Sequence, residues 1–178
     1  MEYKIIRHHK RKRIMITVSP LGEVTVKAGI FTSDKYIEAF VNSKKEWIEK
    51  QQKYFAEKYH HRISVTEEER DNLKKQLLPV MEELVFRYSR MIDVKPKSIK
   101  ITVAEKRWGS CGRNGAICFS YRAALVSQRC REYLAVHELC HIKHFNHSKD
   151  FYNEIEKYIP DYREAEKELD GYYIHIEE

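Results

Sequence analysis

Tyr133-Leu134-Ala135-Val136-His137-Glu138-Leu139-Cys140-His141 is the stretch from which the fold is read. Its apolar residues Tyr133, Leu134, Val136 and Leu139 predict a helix, N-capped by Ser127 and running to about Phe145. Side chains four residues apart leave a helix on one face, about one turn from each other, so the imidazoles of His137 and His141 can reach a single ion. Glu138 is rotated round the helix toward a water on that ion. The spacing is the H-E-x-x-H pattern, in which zinc lowers the pKa of bound water to about 7 and the carboxylate takes the proton. Chance also produces this pattern on helices, because two of its five positions are open.

Working zinc sites hold three protein ligands and one open position, so a third donor is expected downstream. His147 is the best candidate, six residues after His141, the distance of the third histidine in H-E-x-x-H-x-x-G-x-x-H. His144 stands where that pattern has glycine. Asn146, just before His147, is a residue type that accepts a turn conformation. His144 is a rival ligand whose axial offset carries it away from an ion centred between His137 and His141, and it reads better as supporting the ligands from behind or facing substrate. Glutamates of the following helices, Glu154, Glu156, Glu164 and Glu166, offer an alternative third ligand. Their mixture with Lys157, Arg163 and Lys167 favours a solvated helix surface instead.

Beyond His147, Ser148 caps a short helix, and Asp161 with Glu164 caps another that stops at Gly171. Upstream, Ile99 to Val103 alternates as a strand, and Arg113-Asn114-Gly115 joins Arg107–Cys111 to Ala116–Tyr121 as a hairpin. Thr66 and Glu69 form a capping box for a long helix carrying Leu73, Leu77, Met81, Leu84, Val85 and Tyr88. Pro79 inside it removes a backbone hydrogen bond and predicts a kink near Gln76. At the start of the chain, Glu2 to Ala28 reads as two or three antiparallel strands with a turn at Pro20-Leu21-Gly22. Ser33 caps a helix running to about Tyr59, with Tyr36, Phe40, Trp47 and Ile48 as its apolar stripe. The helical pattern lapses between His60 and Val65. Residues 1–62 therefore form a subdomain of strands plus a long helix, and residues 63–178 the domain bearing the H-E-x-x-H helix. Strands, helices, strands, helices is the order of an α+β fold with small antiparallel or mixed sheets.

The chain has 178 residues, 42% of them hydrophobic, enough for a sizeable core. Its net charge of +6 is concentrated early, in Arg7, Lys10, Arg11, Lys12 and Arg13. Such a run either attracts nucleic acid, nucleotide or acidic protein, or is a solvated hairpin turn; the turn is favoured. Cys111, Cys118, Cys130 and Cys140 form no C-x-x-C pair and no secretory signal is visible, so free thiols in the cytoplasm are expected. Apolar runs fall short of the roughly 18–20 residues of a membrane span, and no membrane partner is expected.

His137-Glu138-Leu139-Cys140-His141 followed by Asn146-His147-Ser148 and Phe151, and preceded by Arg107-Trp108-Gly109-Ser110-Cys111, resembles the YgjP-like metal-dependent hydrolase family of minimal zincin type. The motifs extend from about Ile99 to Leu169. The resemblance implies a zincin-like region in which the Arg107–Cys111 strand leads a hairpin beside the helix. It also implies one metal ion, zinc or else another divalent metal, on His137, His141 and His147, with Glu138 as general base. Metallopeptidase activity on a peptide substrate is the leading expectation. A metal-dependent nucleoside triphosphate pyrophosphatase is the alternative, with Arg107, Arg113 and Arg122 near the hairpin placed to polarise a carbonyl or clamp phosphates. A non-catalytic DNA- or protein-binding module is the third reading. Trp108 and Tyr121 are expected to pack the hairpin.

Overall fold

The computed structural model describes residues 1–177, and its contacts cluster into two units, Met1–Arg62 and Ile63–Glu178. In the first unit, β1 (Lys4–His8), β2 (Met15–Val18) and β3 (Val24–Gly29) form a sheet in the order β1-β3-β2. The β2–β3 pair is antiparallel, its turn using Gly22 at φ +86°. β1, however, lies parallel to β3, which corrects the all-antiparallel expectation. β3 takes the centre because it is the apolar strand, burying Val24, Val26 and Ala28, whereas β1 is largely exposed. The basic segment after β1 is consequently no hairpin turn: it links two strands separated by β3. A Cβ added at Gly29 would lie 2.4 Å from the Arg11 carbonyl oxygen, so the connection crosses where the strand has no side chain.

The expected helix from Ser33 to Tyr59 is two helices, α1 (Asp34–Ser43) and α2 (Lys45–Lys58). Ser33 caps α1 as expected, and Ser43 Oγ closes its end by donating to the Phe40 carbonyl at 2.7 Å. The buried stripe is Ile37, Val41 and Ile48, while Tyr36 and Trp47 are exposed. Only Ile48 of the anticipated stripe is core. Aliphatic side chains fill the space against β3, and the aromatic neighbours one position away face out.

In the second unit, α3 (Glu67–Ile92) begins at the Thr66–Glu69 capping box and runs without interruption through Pro79. It buries Leu77, Met81, Leu84, Val85, Tyr88 and Ile92 against α4 (Gln128–Cys140). Burying side chains of this size stabilises by about 1.5–3 kcal/mol each. Asp93 ends α3 in the left-handed conformation, and β5 (Ser98–Thr102), β6 (Gly109–Cys111) and β7 (Ala116–Ser120) follow. Their order is β5-β7-β6, with β5 parallel and β6 antiparallel to β7. Gly115 at φ +78° and Asn114 Oδ1, which accepts from the Ala116 amide, make the β6–β7 turn.

A 3₁₀ turn (Tyr121–Leu125) leads into α4, then α5 (Lys149–Tyr158) and α6 (Tyr162–Asp170). Ser148 caps α5, but Asp161 makes no side-chain cap on α6 and pairs with Arg129 instead. Two strands were not expected from the sequence: β4 (His61–Val65) and β8 (Tyr172–Ile176), which pair with each other. Val65, Ile174 and the fully buried Tyr121 form a small second cluster there. The fold is α+β, with six α-helices and three small sheets among the described residues. No helix among them is long and apolar enough to cross a membrane.

Candidate metal centre and its cleft

α4 ends at Cys140, five residues before the expected Phe145. His141 is the C-cap; the His144 amide donates to the Cys140 carbonyl at 2.9 Å, and the chain turns away. That early stop brings His147 back over the helix face. His137, His141 and His147 converge so that one nitrogen of each lies within 4.8 Å of the others. The Nε2 atoms of His137 and His147 stand 3.1 Å apart, and ring centroids are separated by 4.9 Å (137–141), 5.1 Å (137–147) and 4.7 Å (141–147).

Outer contacts decide which nitrogens face inward. His141 Nδ1 lies 2.9 Å from the His144 carbonyl, which can only accept, so Nδ1 carries the proton and Nε2 keeps its lone pair. His137 Nδ1 lies 3.0 Å from the Tyr133 hydroxyl, which in turn donates to Glu166 Oε1 at 2.6 Å. Phe151, fully buried, floors all three rings: stacked on His141 at 4.5 Å and edge-on to His137 and His147 at 4.9 and 4.8 Å. Burial, together with His141 and His147 nearby, lowers the His137 pKa to about 3, and burial lowers that of His141. Both rings are therefore neutral at pH 7, the state a metal requires. Three imidazoles with a common focus fit a divalent transition metal.

Glu138 is 4% exposed, and its Oε2 has no hydrogen-bond partner among the described residues. Burial pushes its carboxyl up to about 8, opposed by the charge of Arg107. A cation at the histidines would act with Arg107, bringing the carboxylate toward the neutral range useful to a general base. β6 lies directly against it, with Gly109 where any side chain would collide with Glu138.

His137 and His147 open onto a cleft of about 490 Å³. Arg107, Trp108 and Gly109 line one side, Tyr133, Leu134, His137 and Glu138 the helix side, and Glu166, Leu169 and Asp170 the α6 side, with His147 completing it. Of the substrate contacts expected from the sequence, Arg107 lines the cleft; Arg113, Arg122 and His144 lie outside its lining. Arg113 is exposed in the β6–β7 turn. Arg122 is buried, its guanidinium 4.1 Å above the Trp108 ring and donating to the Glu105 carbonyl at 2.6 Å, so it backs the tryptophan wall. His144 contributes its backbone carbonyl to His141. Among the glutamates weighed as ligands, Glu154 pairs with Lys143 and Lys157, and Glu166 reaches the centre only through Tyr133. Tyr133 was absent from the sequence-derived site, although its position one turn before His137 on the same face was a usable signal.

Residues 12–73 and 61–172 match the family model described as YgjP-like, metallopeptidase domain. No curated protein matches the chain. Among solved structures, the metallopeptidase zymogen of Pyrococcus abyssi abylysin is similar over 50% of this chain and 90% of its own, at 21% identity and a TM-score of 0.47.

Proposed function

Because the chain belongs to the YgjP-like family of metal-dependent hydrolases and carries its metallopeptidase domain, we propose that it hydrolyses peptide bonds with zinc held by His137, His141 and His147 and with Glu138 as general base. The observation that carries this reading is the convergence of three imidazoles, two of them with Nδ1 already committed to an outer partner. Bound zinc supplies Lewis acidity, lowering the pKa of water to about 7 and polarising a carbonyl.

The chain's own groups perform the rest. Glu138 Oε2, buried and unpartnered, accepts the proton of the attacking water and returns it to the leaving amine. β6 is an edge strand of its sheet and touches Glu138 at Gly109, so an extended peptide paired along it would present a carbonyl beside the base. Arg107 at the cleft wall is placed to stabilise negative charge developing on that carbonyl. Trp108 and Leu134 supply apolar walls for the flanking side chains.

The test is zinc stoichiometry of the purified protein together with cleavage of a peptide library, before and after chelation. One zinc per chain and peptide cleavage lost on chelation and restored by zinc are expected. Zinc-loaded protein that cleaves no peptide but releases pyrophosphate from nucleoside triphosphates would overturn the peptidase reading.

A further inference from the structure

A single hydroxyl links an α6 carboxylate to the innermost histidine. Tyr133 Oη lies 2.6 Å from Glu166 Oε1 and 3.0 Å from His137 Nδ1. The hydroxyl has one proton, and a carboxylate can only accept, so that proton belongs to Glu166. The oxygen lone pair is left to accept Nδ1–H of His137, which strips Nε2 of its proton and leaves it turned toward His147. The Tyr133 ring is fixed independently: it is 4% exposed and stacks on Tyr162 with centroids 6.4 Å apart.

We propose that Glu166, acting through Tyr133, is a positioning residue that holds His137 in its Nδ1–H tautomer with Nε2 free for the metal. This rests on His137 being a zinc ligand. Removing Glu166 does more than delete a distant charge. Tyr133, freed of its acceptor, turns its proton to Nδ1 of His137, and the imidazole proton moves to Nε2, where it blocks coordination. An acid at the rim of the cleft thus sets the protonation pattern of a ligand it never touches.

The experiment compares wild type, Glu166→Ala, Tyr133→Phe and the double variant. Two readouts are taken: the tautomer of His137 from ¹⁵N-histidine NMR of the metal-free protein, and zinc affinity from competition with a chromogenic chelator. Wild type is expected to show protonated Nδ1 and a large Nε2 shift on adding Zn²⁺. Glu166→Ala is expected to move the proton to Nε2 and weaken zinc about 10- to 100-fold. In the Tyr133→Phe background, which keeps the stacked ring and so the fold, Glu166→Ala should add nothing further. Glu166→Ala with unchanged tautomer and affinity, or an equal loss in both backgrounds, overturns the positioning role while the metal site stands. Absence of any His137 response to Zn²⁺ in wild type overturns the metal site and the positioning role together.

Discussion

Gly109 on β6 and Glu138 on α4 approach so closely that a Cβ at position 109 would lie 2.3 Å from Glu138 Oε1 and 2.9 Å from its Cγ. The strand and the Glu138 carboxylate therefore form one unit, and the missing side chain is what lets them meet. Gly109→Ala should displace Glu138 or the strand while leaving the three histidines in place. A displacement of about 1 Å at a reacting group can cost roughly 100-fold in rate. Peptide turnover is expected to fall by that order with zinc content unchanged; full activity in Gly109→Ala would show that the contact does not position the base.

Alanine at His137, His141 or His147 is expected to abolish bound zinc at micromolar chelator, measured as metal per chain by mass spectrometry. His144→Ala should retain it, because residue 144 serves His141 through its backbone carbonyl. Loss of zinc in His144→Ala equal to that in His147→Ala would reassign the third ligand.

Phe151 is fully buried beneath all three imidazoles, so Phe151→Ala leaves a cavity under the histidine cluster. A loss of about 3–5 kcal/mol in unfolding free energy is expected for the metal-free protein. Phe151→Leu, which fills most of that volume, should cost markedly less. Denaturant unfolding distinguishes them, and equal small losses would show that the floor carries little stability.

Glu154 ties α5 to the turn after α4: it accepts from Lys157, lies 3.4 Å from the Tyr158 hydroxyl and 3.7 Å from Lys143. The Lys157 hydrogen bond holds its carboxyl below the ordinary carboxylate range. A carboxylate with a depressed folded pKa stabilises the protein above its unfolded pKa, and that stability is lost as pH falls through the folded value. Wild type should exceed Glu154→Gln by about 1–3 kcal/mol at pH 7, with the gap narrowing as pH falls through the carboxylate range. A gap independent of pH between 7 and 3 would assign the effect to packing.

The sequence revealed features determined by neighbours along the chain. The Thr66–Glu69 capping box, the Ser127 and Ser148 caps and the Asn114-Gly115 turn are local chemistry, and they stand where they were expected. His137 and His141 are adjacent for the same reason. Pairing direction is not local: periodicity gave β1 as a strand but could not show that β3 enters between it and β2. Nor could it separate Ile37 and Val41 from Tyr36 and Phe40, since both sets have helical spacing and only the shape of the sheet selects aliphatic residues. The end of α4 was hidden because no glycine or proline marks it; a side-chain bond from His141 to its own turn does so instead. Glu166 came to notice as a glutamate, but its hold on Tyr133 spans |i−j| = 33 and is a product of tertiary packing.

The central claim, that Glu138 beside three histidines activates water against a peptide, is tested most directly by comparing zinc-loaded wild type with Glu138→Gln on one peptide substrate at matched metal content. Glutamine keeps the size of the side chain and removes its basicity. Equal zinc occupancy and a rate at least about 100-fold lower in the variant are predicted. Turnover by zinc-loaded Glu138→Gln equal to that of wild type would contradict the account.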